Sequence, residues 1–313
     1  MIDPTLPAPI FILAAPRSYS SLVSTMIGQH PALYGMPELN LFQCASVDEF
    51  NTGQNADGTP KSPFWKSLRH GLLRAVAEIY GGEQTPESIR MAERWLKVRE
   101  EMSAAEVFEE LCAAVAPQRV VEKSPAILRK LEYMQNMQAA CPNARYIHLT
   151  RNPIDQGKSS LKATGGIGVL LGMNSVDHRG AAAALEPQIL WHDSQVQILR
   201  FLDSVPDDHA ITLRGEEVIN DPDETLGALC RWRGVSDAPE AIAAMKAPET
   251  SPFARRGPIN APLGNDVNFL EAPEFRPGTV TIPDLDSPLP WRQDGAPLHS
   301  RVQALARDLG YGA

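Results

Sequence analysis

The sequence predicts an α/β fold in which a P-loop-like parallel sheet is flanked by helices. Short apolar runs of strand length recur at residues 10–15, 119–121, 146–149 and 210–214, and segments with helical periodicity separate them. Strands that alternate with helices favour a parallel sheet joined by right-handed crossovers. The same pattern also predicts helical insertions and an irregular C-terminal segment.

The first strand leads into a helix predicted at residues 20–29, with Leu22, Met26 and Ile27 on one side. Further helices are predicted at residues 127–138, 182–202 and 225–233. After residue 248 the composition shifts to Pro, Gly and Asn, which predicts irregular backbone up to a last helix at residues 298–309.

Two other segments have recognisable patterns. Residues 62–116 are helical throughout, with Thr85 before a proline and Ser103 three residues before a glutamate as caps, and we expect them to form a helical flap beside the sheet. Residues 162–180 are rich in glycine and apolar residues, which indicates either a lid over an apolar substrate or a long connection.

The composition is that of an ordinary soluble globular protein, with 43% hydrophobic and 21% charged residues in 313, and we expect one domain over residues 1–313. A net charge of -9 argues against a general nucleic-acid binder, which needs a basic face. Apolar runs are too short to span a bilayer, and the N-terminus lacks a basic region followed by an apolar one. These features predict a cytoplasmic location.

The cysteines are four in number and widely separated, with no C-x-x-C pair: Cys44, Cys112, Cys141 and Cys230. A metal-ligand spacing such as H-E-x-x-H is also absent from the sequence. We therefore expect reduced thiols and no bound metal.

The segment IFILAAPRSYSSL, residues 10–22, has the composition of a strand, a loop and a helix start that together hold an anion. Backbone N–H groups at a helix N-terminus lack intrahelical partners and carry partial positive charge. Arg17 adds a charged fork, and Ser18, Ser20 and Ser21 add hydroxyl donors. The alternative interpretation is a buried strand followed by a serine-capped helix.

Basic side chains also follow two other predicted strands, at Lys123 and Arg151. Ligands of open parallel sheets bind beyond the carboxyl ends of the strands. We expect Arg17, Lys123 and Arg151 to emerge together at that edge.

The string PRSYSSL, followed by HPALYGMPEL, resembles the 5′-phosphosulfate loop of sulfotransferases that use 3′-phosphoadenosine 5′-phosphosulfate (PAPS). Tyr19 stands where that family usually has glycine, which permits positive φ. RNPIDQGKSSL is similar to the family's 3′-phosphate motif, which implies that Arg151 and Ser159 hold that phosphate.

Two later segments extend the resemblance, in the family's order. LRGEEVINDPDETLGALCRWRGV resembles a helical segment of the family, and RRGPINAPLGNDVNFL resembles a late loop of bacterial and polyketide-associated members. The second match implies that Arg255, Arg256 and Gly257 approach the nucleotide. Together the four matches cover most of the chain.

The resemblance implies PAPS as co-substrate, 3′-phosphoadenosine 5′-phosphate (PAP) as product, and no metal. Arg17, Lys123 and the loop, including Tyr19, would neutralise charge on the moving sulfuryl group. Glu38 matches the base of the tyrosylprotein sulfotransferase branch when counted from the loop arginine, and its alternative role is a first-turn carboxylate. His192 is the reserve base. The acceptor would be a hydroxyl on a small molecule, a lipid-like molecule or a carrier-bound chain.

Two other functions remain open from the sequence. A small-molecule kinase would use ATP and magnesium, but the motif G-x-x-x-x-G-K-[ST] is absent. The second alternative is a non-catalytic nucleotide-binding protein of the same fold, and Tyr19 is the main feature that favours it.

Overall fold

Five parallel strands form the central sheet, in the order β2-β3-β1-β4-β7. The computed structural model describes residues 2–55, 57–163, 166–178 and 183–312. The strands of this part of the chain are β1 (Ile10–Ala14), β2 (Leu33–Gly35), β3 (Arg119–Glu122), β4 (Arg145–Thr150), β5 (Val176–Asp177), β6 (Ala184–Leu185) and β7 (Ala210–Arg214). Strands β5 and β6 form a separate antiparallel pair. The predicted α/β fold with a parallel sheet is thereby confirmed.

The helices of the described residues connect and cover these strands. They are α1 (Ser20–Gly28), α2 (Val47–Thr52), α3 (Trp65–Leu68), α4 (His70–Gly81), α5 (Pro86–Lys97), α6 (Ala104–Val115), α7 (Leu131–Ala140), α8 (Pro153–Lys162), α9 (Gly166–Gly172), α10 (Pro187–Leu202), α11 (Gly215–Asn220), α12 (Pro222–Arg233), α13 (Pro239–Met245), α14 (Val267–Glu271) and α15 (Ser300–Asp308). Thr85 and Ser103 cap α5 and α6 with capping boxes, as predicted.

Strand β1 is buried on both faces, and its alternating side chains belong to two different cores. Phe11 and Leu13 pack in a cluster with helices α4, α5, α6, α7 and α10. Ile10, Ile12 and Ala14 pack in a second cluster with α1, α12 and α13. Because successive side chains of a strand point to opposite faces, one continuous apolar run supports both layers. The helices of residues 62–116 therefore share a core with the sheet.

Several predicted boundaries differ from those observed. The helix predicted at residues 127–138 is interrupted at Lys130, whose extended backbone separates a 3₁₀ turn, Pro125–Arg129, from α7. The long helix predicted from residue 182 begins only at Pro187, because Ala184–Leu185 pairs as a strand. Residues 179–182 lie outside the described residues. The irregular C-terminal segment contains a short helix, α14.

The predicted lid, residues 162–180, is described over residues 162–163 and 166–178. Its central part is helical, as α9, and leads into β5. Ile167, Val169 and Leu171 of α9 are exposed. The role of this segment as a lid stays a prediction.

All four cysteines are buried free thiols, as expected. Burial raises the pKa of Cys44 and of Cys112 to about 12, so both thiols are protonated at neutral pH. None of the helices in the described residues is long and apolar enough to cross a membrane.

Helix α1 approaches strand β2 at a pair of glycines. A Cβ on Gly28 would contact the Cα of Gly35 and lie 2.8 Å from its nitrogen. Both obstacles are backbone atoms, which cannot rotate away. This close approach fixes α1 against the sheet, and with it the loop that precedes α1.

We expect Gly28→Ala to lower the free energy of unfolding by about 1–3 kcal/mol, because overpacking outweighs the gain in helix propensity, ~1 kcal/mol at most. Urea denaturation measures the change. Gly172 is likewise the last residue of its helix, and a Cβ there meets no atom within 4 Å, so Gly172→Ala is the matched control. Equal effects of the two substitutions would contradict the packing argument.

Candidate active site

The loop between β1 and α1 turns sharply. Arg17 and Tyr19 both have positive φ, 71° and 60°, in the left-handed region. Tyr19 occupies the N-cap position of α1 and makes no side-chain cap hydrogen bond. The serine-capped helix of the alternative interpretation is thus not observed, and the anion-binding role of the loop stays a prediction.

Tyr19 has the positive φ that is usual for glycine, and its ring packs against Arg151 and Gly215. The guanidinium of Arg151 lies 3.9 Å from the ring centroid, at a cation–π distance. Gly215 also lies against the ring, since a Cβ there would be 2.7 Å from a ring carbon of Tyr19. The absence of a side chain at Gly215 thus makes room for tyrosine at position 19.

The predicted arginines and Ser159 lie together at the loop. Arg17 Nε donates to Ser159 Oγ at 3.1 Å, and Arg151 donates to the carbonyl of Arg17 at 2.8 Å. Arg17 also forms an ion pair with Asp266. The arginines are therefore held by the loop and by the start of α14, which Asp266 caps.

Lys123 follows β3 and is 1% exposed. It forms an ion pair with Glu38 and donates to Ser21 Oγ at 3.0 Å and to Asn265 at 3.4 Å. The backbone N–H of Asp266 also donates to Ser21 Oγ, at 3.2 Å. A hydroxyl has two acceptor sites and one proton, so Ser21 retains its proton for a further acceptor, such as an anionic oxygen.

Backbone packing fixes the position of Glu38. Its N–H donates to the carbonyl of Gly264 at 2.7 Å. A Cβ on Gly71 would collide with the carbonyl oxygen of Glu38, and a Cβ on Gly264 would lie 3.0 Å from the Cα of Gly71. Three segments that are distant in sequence therefore meet around Glu38 and direct its carboxylate to Lys123.

Two cavities meet at the loop. The first, which we call the apolar cavity, has a volume of about 360 Å³. Its walls include Phe64, Leu68, Val169, Met173 and Val267, and Glu38 also lines it. The apolar cavity borders the loop at Pro16, Arg17, Ser20 and Ser21.

The second, which we call the arginine cavity, has a volume of about 320 Å³ and is lined by Tyr19, Leu22, Arg151, Ser159 and Phe269, among others. The two cavities share four residues: Arg17, Ser20, Ser21 and Asp266. A group held at these shared residues is accessible from both sides, which is the geometry that a transfer between two ligands requires.

Comparison with known proteins identifies the family. A family model described as "Sulfotransferase family" matches residues 9–239. The chain belongs to the sulfotransferase family. A comparison with curated proteins gave no match.

Solved structures agree with this assignment. The sulfotransferase domain from the curacin biosynthetic pathway is 25% identical, with a TM-score of 0.75 and 98% of each chain covered. The sulfotransferase domain from the Synechococcus PCC 7002 olefin synthase is 21% identical, with a TM-score of 0.68, and the match covers 100% of this chain and 99% of that domain. The second similarity shows the fold alone.

Four of the predicted site residues lie away from the shared loop of this sulfotransferase. Arg255 and Arg256 are exposed and form ion pairs with Glu274 and Glu271, and neither lines the two cavities. Gly257 packs against Arg74. His192 bonds Asp193 at 3.0 Å and lines neither cavity.

Sequence reasoning did not single out Asn265 and Asp266, although both lie in the late segment that resembles the family. A local pattern marks Asp266, since it is followed by Val-Asn-Phe-Leu and acts as an N-cap. Its contact with Arg17, 249 positions away, has no local signal. Within the described part of the chain, no cluster of three or more His, Cys, Asp or Glu could hold a metal ion.

Glu122, the last residue of β3, lies behind the Lys123–Glu38 pair and is buried. Its Oε1 accepts the N–H of Leu39 at 3.1 Å and the hydroxyl of Ser124. Burial raises the pKa of Glu122 to about 7 from 4.5, so the site holds a carboxyl group that retains its proton in mildly acidic solution.

This shift predicts a pH-dependent stability. Between pH 4.5 and about 7 the unfolded chain has lost the Glu122 proton while the folded protein keeps it, so the free energy of unfolding falls as pH rises and levels off above about 7. Glu122→Gln stays neutral and keeps an oxygen for both hydrogen bonds. We expect the stability of the variant relative to wild type to rise across this window, on the order of a few kcal/mol. Chemical denaturation at several pH values measures it, and parallel curves would contradict the assignment.

Proposed function

We propose that this sulfotransferase moves the sulfuryl group of PAPS to an acceptor hydroxyl, across the residues that its two cavities share. The supporting observation is that Arg17, Ser20 and Ser21 line both cavities. A donor in the arginine cavity and an acceptor in the apolar cavity would then face each other at the anion-binding loop. Attacking and leaving oxygens can be in line only if they approach from opposite sides.

The residues of the arginine cavity fit the chemistry of PAPS. Arg151 lines this cavity, and its Nε is buried without a hydrogen-bond partner among the described residues, so it can serve an anionic ligand. Ser18 Oγ also lacks a partner there, but Ser18 is fully buried and lines neither cavity. Arg151 and Ser159 would hold the 3′-phosphate, and Arg17, Ser20 and Ser21 the phosphosulfate. Leu22 and Phe269 supply apolar contacts for the adenine.

The residues of this chain would divide the chemistry as follows. Glu38 takes the proton of the acceptor hydroxyl as the bond between acceptor oxygen and sulfur forms. The bond from sulfur to the bridging oxygen of the 5′-phosphate breaks, and PAP leaves with that oxygen. Arg17 stabilises the negative charge that develops on the transferred group and on PAP, and Lys123, which lines neither cavity, supports this through its hydrogen bond to Ser21. Lys123 also orients Glu38 through their ion pair.

The apolar walls of the acceptor side favour a hydroxyl on an apolar scaffold, whether a small molecule, a lipid-like molecule or a carrier-bound chain. The similar domain of the curacin pathway supports sulfuryl transfer over phosphoryl transfer. Tyr19 was the main support for a non-catalytic protein. Because it adopts the positive φ that glycine would supply, its presence no longer favours that alternative.

We expect the protein to bind PAP much more tightly than AMP, because only PAP carries the 3′-phosphate that Arg151 would hold. Arg151→Ala should weaken PAP binding by about tenfold or more, since each charge-assisted hydrogen bond contributes ~1.5–3 kcal/mol. Isothermal titration calorimetry measures both affinities. Arg301 is exposed on α15, and Arg301→Ala is the matched control.

A thermal shift experiment separates the competing functions, because a ligand that prefers the native state raises the melting temperature. PAP should raise it, whereas ATP with magnesium should not. Equal affinity for PAP and AMP, or stabilisation by ATP with magnesium alone, would remove the basis for a PAPS-dependent enzyme.

Asp266 places a carboxylate on the arginine that should hold the donor anion. Its Oδ2 pairs with Arg17, while its Oδ1 accepts the N–H groups of Asn268 and Phe269 at the start of α14. The Asp266 carboxylate and the anionic groups of PAP would compete for Arg17. PAP therefore has to displace the carboxylate from Arg17 or bind despite its repulsion.

Asp266→Asn should therefore bind PAP several-fold more tightly than wild type, since asparagine remains a good N-cap and removes the negative charge. Calorimetry at low ionic strength gives the clearest difference, which should shrink as salt is added. Asp237, which pairs with Arg231 at 2.9 Å on the surface, provides the control Asp237→Asn. Weaker PAP binding by Asp266→Asn would show that Asp266 supports the nucleotide site instead.

We expect Glu38→Gln to retain its affinity for PAP while turnover drops by about 10²–10⁴, because glutamine keeps the shape but cannot accept the proton. A phenol loses its proton more easily than an aliphatic alcohol, so the variant should lose less activity on the phenol. Steady-state rates on both acceptors test this. Near-normal turnover of the aliphatic alcohol would place the base elsewhere, and His192 would be substituted next.

A further inference from the structure

The apolar cavity adjoins a third cavity on the side of α9. The third cavity has a volume of about 490 Å³, and we call it the polar cavity. Arg129, Gly172 and Met173 line both cavities. A ligand whose hydroxyl lies at Glu38 can therefore extend along the apolar walls and reach the polar cavity past Arg129.

The polar cavity presents cationic groups. Arg129, at the shared boundary, donates to the carbonyl of Gly172 at 3.4 Å, a long bond that leaves most of its guanidinium donors for a ligand. Lys130 lies beside it, 5.5 Å from the ring centroid of Tyr133. In the described ranges, no carboxylate lies within ion-pair distance of Arg129 or Lys130, and Asp57 has only a weak electrostatic interaction with Lys130.

The other charged residues of this cavity already have partners. Lys61 pairs with Glu49 at 2.9 Å and donates to Asn55 at 3.1 Å. Asp193 is bonded by His192 at 3.0 Å. The charged residues that line the polar cavity are thus three cations, Lys61, Arg129 and Lys130, and one carboxylate, Asp193, so positive charge predominates.

Ser194 provides an independent sign of a missing ligand. It lines the polar cavity and is 2% exposed, and its hydroxyl has no hydrogen-bond partner among the described residues. A buried hydroxyl without a partner costs free energy that a bound acceptor or donor group would recover. A serine hydroxyl and a guanidinium that line the same cavity are suitable donors for an anionic oxygen.

We propose that the polar cavity binds an anionic group of the acceptor, a carboxylate or a phosphate, on Arg129, Lys130 and Ser194. The acceptor is then an amphiphile with a hydroxyl at Glu38, an apolar body between Phe64 and Val169, and an anionic end in the polar cavity. The position of the hydroxyl rests on the proposed function, whereas the anion site does not.

Binding without turnover tests the anion site by itself. Octanoate, octyl phosphate and octanamide are titrated by calorimetry into wild-type protein saturated with PAP, and also into the free protein. At least one anion should bind about tenfold or more tightly than the amide, as expected for a charge-assisted contact. The anion that binds more tightly, octanoate or octyl phosphate, indicates whether the anionic end of the acceptor is a carboxylate or a phosphate.

Variants then locate the contact. Arg129→Gln should abolish the preference for the anion, Arg129→Lys should restore part of it, and Ser194→Ala should reduce it several-fold. Arg301→Gln, on the exposed face of α15, is the control that should keep the full preference. PAP affinity, measured on each variant, reports that it is folded.

The proposal is overturned if neither anion binds more tightly than the amide, or if Arg129→Gln keeps the preference. Turnover with ω-hydroxyoctanoate and ω-hydroxyoctanamide adds a second comparison, in which Arg129→Gln should raise KM for the acid more than for the amide. Failure of PAP to bind would refute the proposed function alone, since the titrations of the free protein would still decide the anion site.

Discussion

The turn from β1 into α1 is the constraint on which the site depends. Arg17 and Tyr19 both hold left-handed backbone, at an intrinsic cost of roughly 1–2 kcal/mol per residue. The stacking of Arg151 on the Tyr19 ring and the hydrogen bond from Arg151 to the Arg17 carbonyl offset part of that cost. Arg151 therefore has two functions, since it supports the loop and lines the arginine cavity.

The same turn explains how one loop can serve two ligands. Two left-handed residues reverse the chain within a few positions, so that Arg17, Ser20 and Ser21 line both cavities. The segment around Asp266 closes the remaining gap between the cavities, with Asn265 on Lys123 and Asp266 on Arg17. The negative charge of Asp266 partly neutralises Arg17 when no sulfuryl donor is bound.

Buried ionisable side chains lie next to the loop between β1 and α1. Lys123 is desolvated and is compensated by Glu38, by Ser21 and by the amide oxygen of Asn265. A buried ion of this kind is costly unless its hydrogen bonds are satisfied, and removing a single partner is expensive. Glu122 avoids a second buried charge because its raised pKa favours the neutral form in acidic solution. The geometry at Glu38 thus depends on Lys123 and Glu122, which line neither the apolar cavity nor the arginine cavity.

The sequence by itself determined the alternation of strands and helices, the loop after β1, and the emergence of Arg17, Lys123 and Arg151 at strand ends. These features are local, because strand and helix periodicity and cap residues are set within a few positions. The pairing of Arg151 with Ser159 came from the resemblance to the family and not from a local pattern.

Only the tertiary structure decided the partners of those residues. Lys123 meets Glu38 across 85 positions and Arg17 meets Asp266 across 249, and no local pattern encodes such pairs. The adaptation of Tyr19 to a glycine position likewise required Gly215, the first residue of α11, which follows β7. The apolar cavity arises in the same way, because its walls come from α9, α14 and the segment before α4, which are distant in sequence and meet only in the tertiary structure.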